Sequence, residues 1–305
     1  MGFCKTGRKL MITNSCKKKL LLMVLSAMIL SSCTTVYTKP GFTKDSYPHV
    51  DGSTATIPLS ENLASDLLSM PPEEAKKFIK HNTTHNAYEN LIAGKADIIF
   101  VTEPSEEEMS MADSKGIELE VVPVVKEAFV FLVNKNNPVT NISSEDIKAV
   151  YQGRINNWRE LGGPDKEIIA YQRPENSGSQ TIMQKQVMKG LQIADAPSEL
   201  RPMGMGGLVD VVASYDNSDK AIGYSVYYYV NSMYIKNTIK FVNVDGIEPN
   251  NENIRSDKYP FTSAYYAVVK KSEPENSNAR KLLSYILSEE GQKLAEKSGY
   301  VPLGR

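Results

Sequence analysis

Four times along this chain a loop of small hydroxyl residues or glycines opens into apolar residues at helical spacing. His49-Val50 leads through Asp51-Gly52-Ser53-Thr54-Ala55-Thr56 to Leu59, Leu63, Leu67 and Leu68. Asn82-Thr83-Thr84-His85-Asn86 precedes Ala87, Leu91 and Ile92. Ile168-Ile169-Ala170-Tyr171 leads through Arg173-Pro174-Glu175-Asn176-Ser177-Gly178-Ser179-Gln180-Thr181 to Ile182, Met183 and Val187. Met203-Gly204-Met205-Gly206-Gly207 precedes Leu208, Val211 and Val212. Such units read as loop and helix, the clearest of them preceded by a strand. A helix start leaves backbone N–H groups unpaired, and its dipole favours negative charge, so it suits a small anion. Each loop alone is equally an ordinary capped helix, with Ser177 as one N-cap. Ala96-Asp97-Ile98-Ile99-Phe100-Val101 is nearly continuously apolar and fits a strand buried on both faces of a mostly parallel sheet. The fold class expected is α/β, with helices flanking the sheet. In such sheets ligands bind beyond the carboxyl ends of the strands, where these loops gather.

The first residues stand apart from this pattern. Lys17-Lys18-Lys19 forms a basic segment and Leu20 to Leu30 an uncharged apolar run. A spanning helix needs roughly 20 apolar residues, so this run reads as an export signal covering residues 1–32. Leu30-Ser31-Ser32-Cys33 resembles a bacterial lipobox, which implies cleavage before Cys33 and lipidation of it; the alternative is a plain secretory signal with a chance cysteine. Met11 is a second candidate start. The cysteines are Cys4, Cys16 and Cys33, so the mature body has no disulfide and no thiol chemistry, and its core alone must hold it. A formal net charge of −1 gives no bulk bias toward nucleic acid. Residues 33–46 read as a lipidated flexible tether.

Further along, Val121 to Val125 and Phe129 to Val133 read as two strands separated by Lys126-Glu127. Asn134-Lys135-Asn136-Asn137-Pro138 marks a crossover into a second lobe. The lobes expected are 47–134 with 236–305 (lobe I) and 135–235 (lobe II), and strands near Ile239 to Val244 and Ala264 to Val269 return to lobe I. His81 and His85 stand four apart, but no third ligand is near, and solvated or capping histidines fit better than a metal site. Tyr227-Tyr228-Tyr229 reads as core and lobe packing rather than a stacking platform.

The motifs taken in order resemble the phosphate-binding lipoproteins of bacterial ABC transporters, the PstS-like branch of the periplasmic-binding-protein superfamily, over roughly Tyr47 to Leu303. Gly52-Ser53-Thr54 resembles the first phosphate loop, and Gly94-Lys95-Ala96-Asp97-Ile98 a recurrent strand start. Tyr151-Gln152-Gly153-Arg154-Ile155-Asn156-Asn157-Trp158 resembles the turn after the crossover. Arg173 with Ser177-Gly178-Ser179-Gln180-Thr181 resembles the third phosphate loop. Ala221-Ile222-Gly223-Tyr224 and Glu290 to Leu303 match the family's end. The resemblance implies two α/β lobes, a hinge, and one oxyanion gripped between them for delivery to an ABC permease. It implies phosphate contacts from Ser53, Thr54, Thr84, Arg173, Ser177, Gly178 and Ser179, with Thr181 at the family's threonine. It also implies a lipid-anchored, extracytoplasmic, usually monomeric protein with no cofactor and no metal.

This chain departs from the family where Val101-Thr102-Glu103 follows the Asp97 strand. Phosphate near neutral pH carries a proton that sulfate lacks, and a carboxylate can accept its hydrogen bond. Glu103 is therefore a candidate acceptor, or else a surface residue opening the acidic helix Glu106-Glu107-Glu108. The family's second loop is usually glycine-rich and here reads Asn82-Thr83-Thr84-His85, where His85 would add a pH-dependent donor. Two other binding readings keep the fold: another oxyanion or small acidic metabolite, and a surface adhesin or signalling module. Against an enzyme, the chain lacks a G-x-S-x-G elbow, an H-E-x-x-H motif and a cysteine nucleophile.

Overall fold

The body is built on a mixed seven-stranded sheet. The computed structural model describes residues 1–2, 39–217 and 219–304; the expected signal, the lipobox and Cys33 lie outside the described residues. The strands are β1 (Val50–Gly52), β2 (Ile98–Val101), β3 (Leu119–Asn134), β4 (Asn141–Ile142), β5 (Ile169–Ala170), β6 (Ala221–Val226), β7 (Ile239–Phe241), β8 (Asn243–Val244) and β9 (Thr262–Lys270). The large sheet runs β1-β2-β9-β3-β6-β5, with β7 also on β3, and β4 pairs with β8 apart from it. The helices are α1 (Ile57–Leu67), α2 (Pro72–Phe78), α3 (Thr84–Ile92), α4 (Glu106–Ser114), α5 (Ser144–Tyr151), α6 (Gly178–Ile182), α7 (Met205–Ala213), α8 (Asn251–Arg255), α9 (Asn278–Leu287) and α10 (Glu289–Lys297). Among the described residues no helix is long and apolar enough to cross a membrane.

The pairing directions refine the expected sheet. β1 with β2 and β5 with β6 are parallel, as in strand–loop–helix units. β9 runs antiparallel to both β2 and β3, and β6 and β7 run antiparallel to β3, so the centre of the sheet is antiparallel. β2 is buried along its whole length, as its apolar run requires.

The segment read as two strands is one strand of 16 residues, β3. Lys126-Glu127 does not interrupt it, because both charges find partners without leaving the ladder. Lys126 Nζ reaches Asp257 at 2.6 Å, and the Glu127 carboxylate accepts the N–H groups of Ala128 and Tyr228. A bulge between Pro123 and Val125 absorbs the proline. Residues Leu119 to Ala128 pair with β9, and Phe129 to Val133 pair with β6. The same strand thus serves two halves of the sheet. Ile239–Phe241, expected to return to the first lobe, pairs with Leu132 to Asn134 at the far end of β3. Lys240 Nζ holds it there on the Asn137 carbonyl at 2.5 Å.

Each half has its own packing. α3 lays Ala87, Tyr88 and Leu91 against Ile99, Val101 and Val268. Leu59, Leu63 and Leu91 are fully buried, and each such side chain contributes about 1.5–3 kcal/mol. In the second half Phe131 is ringed by Phe129, Tyr151, Tyr224 and Phe261 at centroid distances of 5.6 to 6.5 Å. The tyrosine run is packing: Tyr228 stacks on Tyr300 at 3.8 Å, and Tyr229 stacks on Tyr234 at 5.6 Å. Residues 42–46, assigned to the tether, form a turn whose Phe42 ring meets the buried Tyr47 at 5.5 Å, and Asn278 donates to the Ser46 carbonyl.

Gly52 ends β1 where no side chain fits. A Cβ there would lie 2.4 Å from the Phe100 carbonyl oxygen and 2.7 Å from His81 Cε1. The Gly52→Ala protein should lose about 1–3 kcal/mol of stability, the usual cost of overpacking, as read from the midpoint of a urea titration.

Candidate functional site

The loops that leave the carboxyl ends of β1, β2 and β5 converge, with the last residue of β6, on one cavity of about 340 Å³. This is where an α/β sheet places a ligand. From the first half come Ser53 and Thr54 after β1, Thr84 and His85 at the start of α3, and Thr102 after β2. From the second half come Arg173, Ser177, Gly178 and Ser179 after β5 and Met203 to Met205 before α7. Seven of the residues assigned from sequence therefore meet in one place: Ser53, Thr54, Thr84, Arg173, Ser177, Gly178 and Ser179.

Arg173 dominates the electrostatics. It is only 7% exposed, and among the described residues it has no carboxylate partner. Its Nε donates to the Pro202 carbonyl at 2.9 Å and its Nη2 to the Met203 carbonyl at 2.7 Å. Nη1 is 3.4 Å from the Ser179 hydroxyl. Its own N–H donates to the Tyr224 hydroxyl at 2.9 Å and to Gln180 Oε1 at 3.2 Å, and Tyr224 in turn donates to Gln180. The brace fixes the backbone while the carbonyls aim the fork. Burial lowers the guanidinium's pKa, which is the cost of a cation without a counter-charge.

The hydroxyls surround it. Ser177 caps α6, accepting the Gln180 N–H, and Gly178 and Ser179 form that helix's first turn. A Cβ on Gly178 would lie 2.6 Å from Thr102 Oγ1 and 2.7 Å from Thr84 Oγ1, so only glycine lets both hydroxyls approach the helix start. Thr102 is 3% exposed and its Oγ1 has no hydrogen-bond partner, a donor that the protein leaves to be satisfied from the cavity. Ser53 shares its hydroxyl with Thr56 at 3.2 Å, while Thr56 itself turns inward to the Phe100 carbonyl at 2.6 Å and does not line the cavity.

Two expectations come out differently. Glu103 does not line the cavity: its Oε1 accepts the Tyr266 hydroxyl at 2.8 Å, beside a small cleft with Thr181 and Lys185. Neighbours on extended chain point to opposite sides, so with Thr102 turned inward Glu103 turns away. Thr181, placed at the family's threonine, also lies at that cleft, with its hydroxyl on the Ser177 carbonyl. Thr102 is the residue that sequence reasoning missed. His81 and His85 do not share a ligand. His81 Nδ1 is 2.9 Å from the Ser53 carbonyl and its Nε2 is 3.1 Å from Ser60, bracing the first loop, whereas His85 faces Glu108. Among the described residues no His, Cys, Asp and Glu cluster could hold a metal.

A buried, unpaired guanidinium ringed by hydroxyls and a helix start, at the carboxyl ends of α/β strands, defines a receptor for a small anion. Residues 43–290 match the family model of the PBP superfamily domain, and the chain belongs to that family. It is similar to the phosphate-binding protein PstS of Bacillus subtilis (strain 168), with 26% identity over 300 residues, 94% of this chain and 95% of that protein. It is also similar to the phosphate-binding protein PstS of Staphylococcus aureus (strain USA300), with 24% identity over 82% of this chain and 76% of that protein. Among solved structures, a Clostridium perfringens protein assigned as a phosphate ABC transporter substrate-binding protein, with bound phosphate, superposes with a TM-score of 0.64. It is 25% identical, and the match covers 84% of this chain and 99% of that one. An ABC-type phosphate transport receptor from Vibrio cholerae shares the fold at a TM-score of 0.61 and 19% identity, over 83% of this chain and 99% of that one.

Proposed function

We propose that this protein is an extracytoplasmic solute-binding lipoprotein that captures inorganic phosphate and delivers it to an ABC permease, without chemistry on the ligand. The observation that carries this reading is Arg173, a buried cation whose only missing partner is an anion. Each charge-assisted hydrogen bond to a dianion contributes about 1.5–3 kcal/mol, so the guanidinium, the α6 N–H groups and the surrounding hydroxyls together offset desolvation of phosphate. Family membership and the names of the relatives point the same way. Lipid on Cys33 would hold the protein at the membrane as a monomer. The two lobes of this reading are 47–134 with 236–305 and 135–235; the change of partner along β3 after Ala128 supports a boundary in that strand. The cavity lies between contributions from both.

The cavity volume favours a second reading, since about 340 Å³ is within the range of sites for larger metabolites. Calorimetry on the protein stripped of bound anion separates the two. Saturable one-to-one binding of inorganic phosphate is expected. A folded protein that ignores phosphate but binds a phosphate monoester or a small dicarboxylate would replace the first reading by the second.

A further inference from the structure

The cavity wall holds one imidazole. His85 lies in the first turn of α3 and lines the cavity, and its Nδ1 is 3.1 Å from Glu108 Oε1. Glu108 has no exposed surface. Its other oxygen accepts the Ser105 N–H at 2.7 Å, and the Ser105 hydroxyl accepts the Glu108 N–H at 3.2 Å, closing a capping box at the start of α4. The carboxylate is thus fixed by its own helix before it meets the histidine. Burial raises the Glu108 carboxyl above its ordinary range, while the Ser105 N–H and His85 pull it back.

A carboxylate oxygen accepts, so the contact with Glu108 places the ring proton on Nδ1. Nε2 keeps a lone pair. Among the described residues Nε2 has no protein partner. Glu108 from α4 meets the ring directly, Glu89 stands one turn along α3, and the charged and titratable groups that share the cavity lining with it are Arg173 and the exposed Glu175 from the loop after β5 and Tyr265 from β9. Apart from the exposed Glu175 and the Asn176 amide oxygen, the remaining polar side chains of the lining can donate. Arg173 has only N–H groups, and each hydroxyl can turn its proton toward whatever oxygen arrives.

Resting on the phosphate reading above, we propose that His85, oriented by Glu108, selects a proton-bearing oxyanion: Nε2 accepts the hydrogen bond of the P–OH group and repels the ionised oxygens of sulfate. A ring lone pair cannot rotate into a donor, which a hydroxyl can, so the ring, like the exposed Glu175 carboxylate but unlike the hydroxyls, can reject an anion that brings acceptors alone. Glu108 is the positioning residue. In Glu108→Gln the amide oxygen keeps the Ser105 N–H, its NH2 faces Nδ1, and the imidazole proton moves to Nε2.

The test is calorimetric titration of inorganic phosphate and then sulfate at about pH 8, on the natural protein, Glu108→Gln and His85→Gln. The expected result is a phosphate-over-sulfate ratio that falls about tenfold or more in both variants, with sulfate binding more tightly than before. Nitrogen-15 NMR of His85 should show Nε2 unprotonated in the natural protein and protonated in Glu108→Gln. The milder His85→Gln change keeps the selectivity test usable if the buried variant folds poorly. Phosphate binding with an unchanged ratio in His85→Gln overturns this inference alone. A natural protein that binds no phosphate overturns both it and the proposed function.

Discussion

Replacing Arg173 with alanine is expected to weaken phosphate binding by at least about a hundredfold. The guanidinium can give a bound oxyanion two charge-assisted bonds, and losing about 3 kcal/mol of such bonding is about two powers of ten in Kd. Nothing else in the described lining replaces it, since the other donors there are neutral hydroxyls, the Asn176 amide and backbone N–H groups. Arg173→Lys should fall between, with a loss of about tenfold. It keeps the charge, but a single ammonium cannot hold the Pro202 and Met203 carbonyls and a ligand oxygen in one plane. Ligand-free stability should respond far less than affinity, because removing arginine also removes a buried charge that has no carboxylate partner. Thermal melts with and without phosphate check this. The natural protein should melt higher with phosphate, and the alanine variant should show no phosphate-dependent shift while still unfolding cooperatively. A variant that retains the shift would remove Arg173 from the site, and with it the main support for an anion receptor.

The parts of the site that were legible in the sequence are those whose signal is local. Ser53, Thr84 and Ser177 stand out because small hydroxyls at a helix start are a compositional signature, and Arg173 because a lone cation follows an apolar strand. What was hidden depends on geometry set from a distance. Whether Thr102 or Glu103 faces the cavity is decided by parity at the end of β2, where Val101 is committed to the core beneath α3. Val101 and Glu103 share a side, and Thr102 takes the other. The brace of Gln180 and Tyr224 on the Arg173 backbone joins residues far apart in the chain, and no spacing announces it. The sheet shows the same division. Local periodicity located β2 and β6, but the antiparallel centre follows from the late return of β9, which no local pattern encodes. Lys126-Glu127 has the polarity of a turn and yet lies inside β3, because Asp257 and the Tyr228 N–H come from elsewhere to satisfy it.

That glutamate should make the protein less stable as the pH rises through neutrality. Glu127 is 2% exposed, and one of its oxygens accepts the Ala128 N–H at 2.8 Å and the Tyr228 N–H at 3.2 Å. The other oxygen is buried without a hydrogen bond, as is the hydroxyl of Tyr265. Burial pushes the carboxyl up to about 7 from an ordinary 4.5, against the opposing pull of the polar groups around it, the Ala128 and Tyr228 N–H groups first. Below about pH 4.5 the group is protonated whether the chain is folded or unfolded, and it contributes nothing. Between there and about pH 7 the unfolded chain ionises first and binds fewer protons, so stability falls with rising pH. Above about pH 7 the full cost is present, about 3 kcal/mol. Glu127→Gln cannot ionise. Its amide oxygen keeps both N–H groups, and its NH2 can donate to the Tyr265 hydroxyl. The variant should therefore be the more stable protein by about 3 kcal/mol at about pH 8, and the gap should close to within about 1 kcal/mol at about pH 5. Urea unfolding of both proteins at the two pH values measures it. A gap that does not change with pH would mean that the carboxyl does not titrate over this range, and that its two N–H partners compensate burial fully. A gap that closes as expected would mark a titrating charge at the point where β3 passes from one half of the sheet to the other, beside a tyrosine that lines the anion cavity.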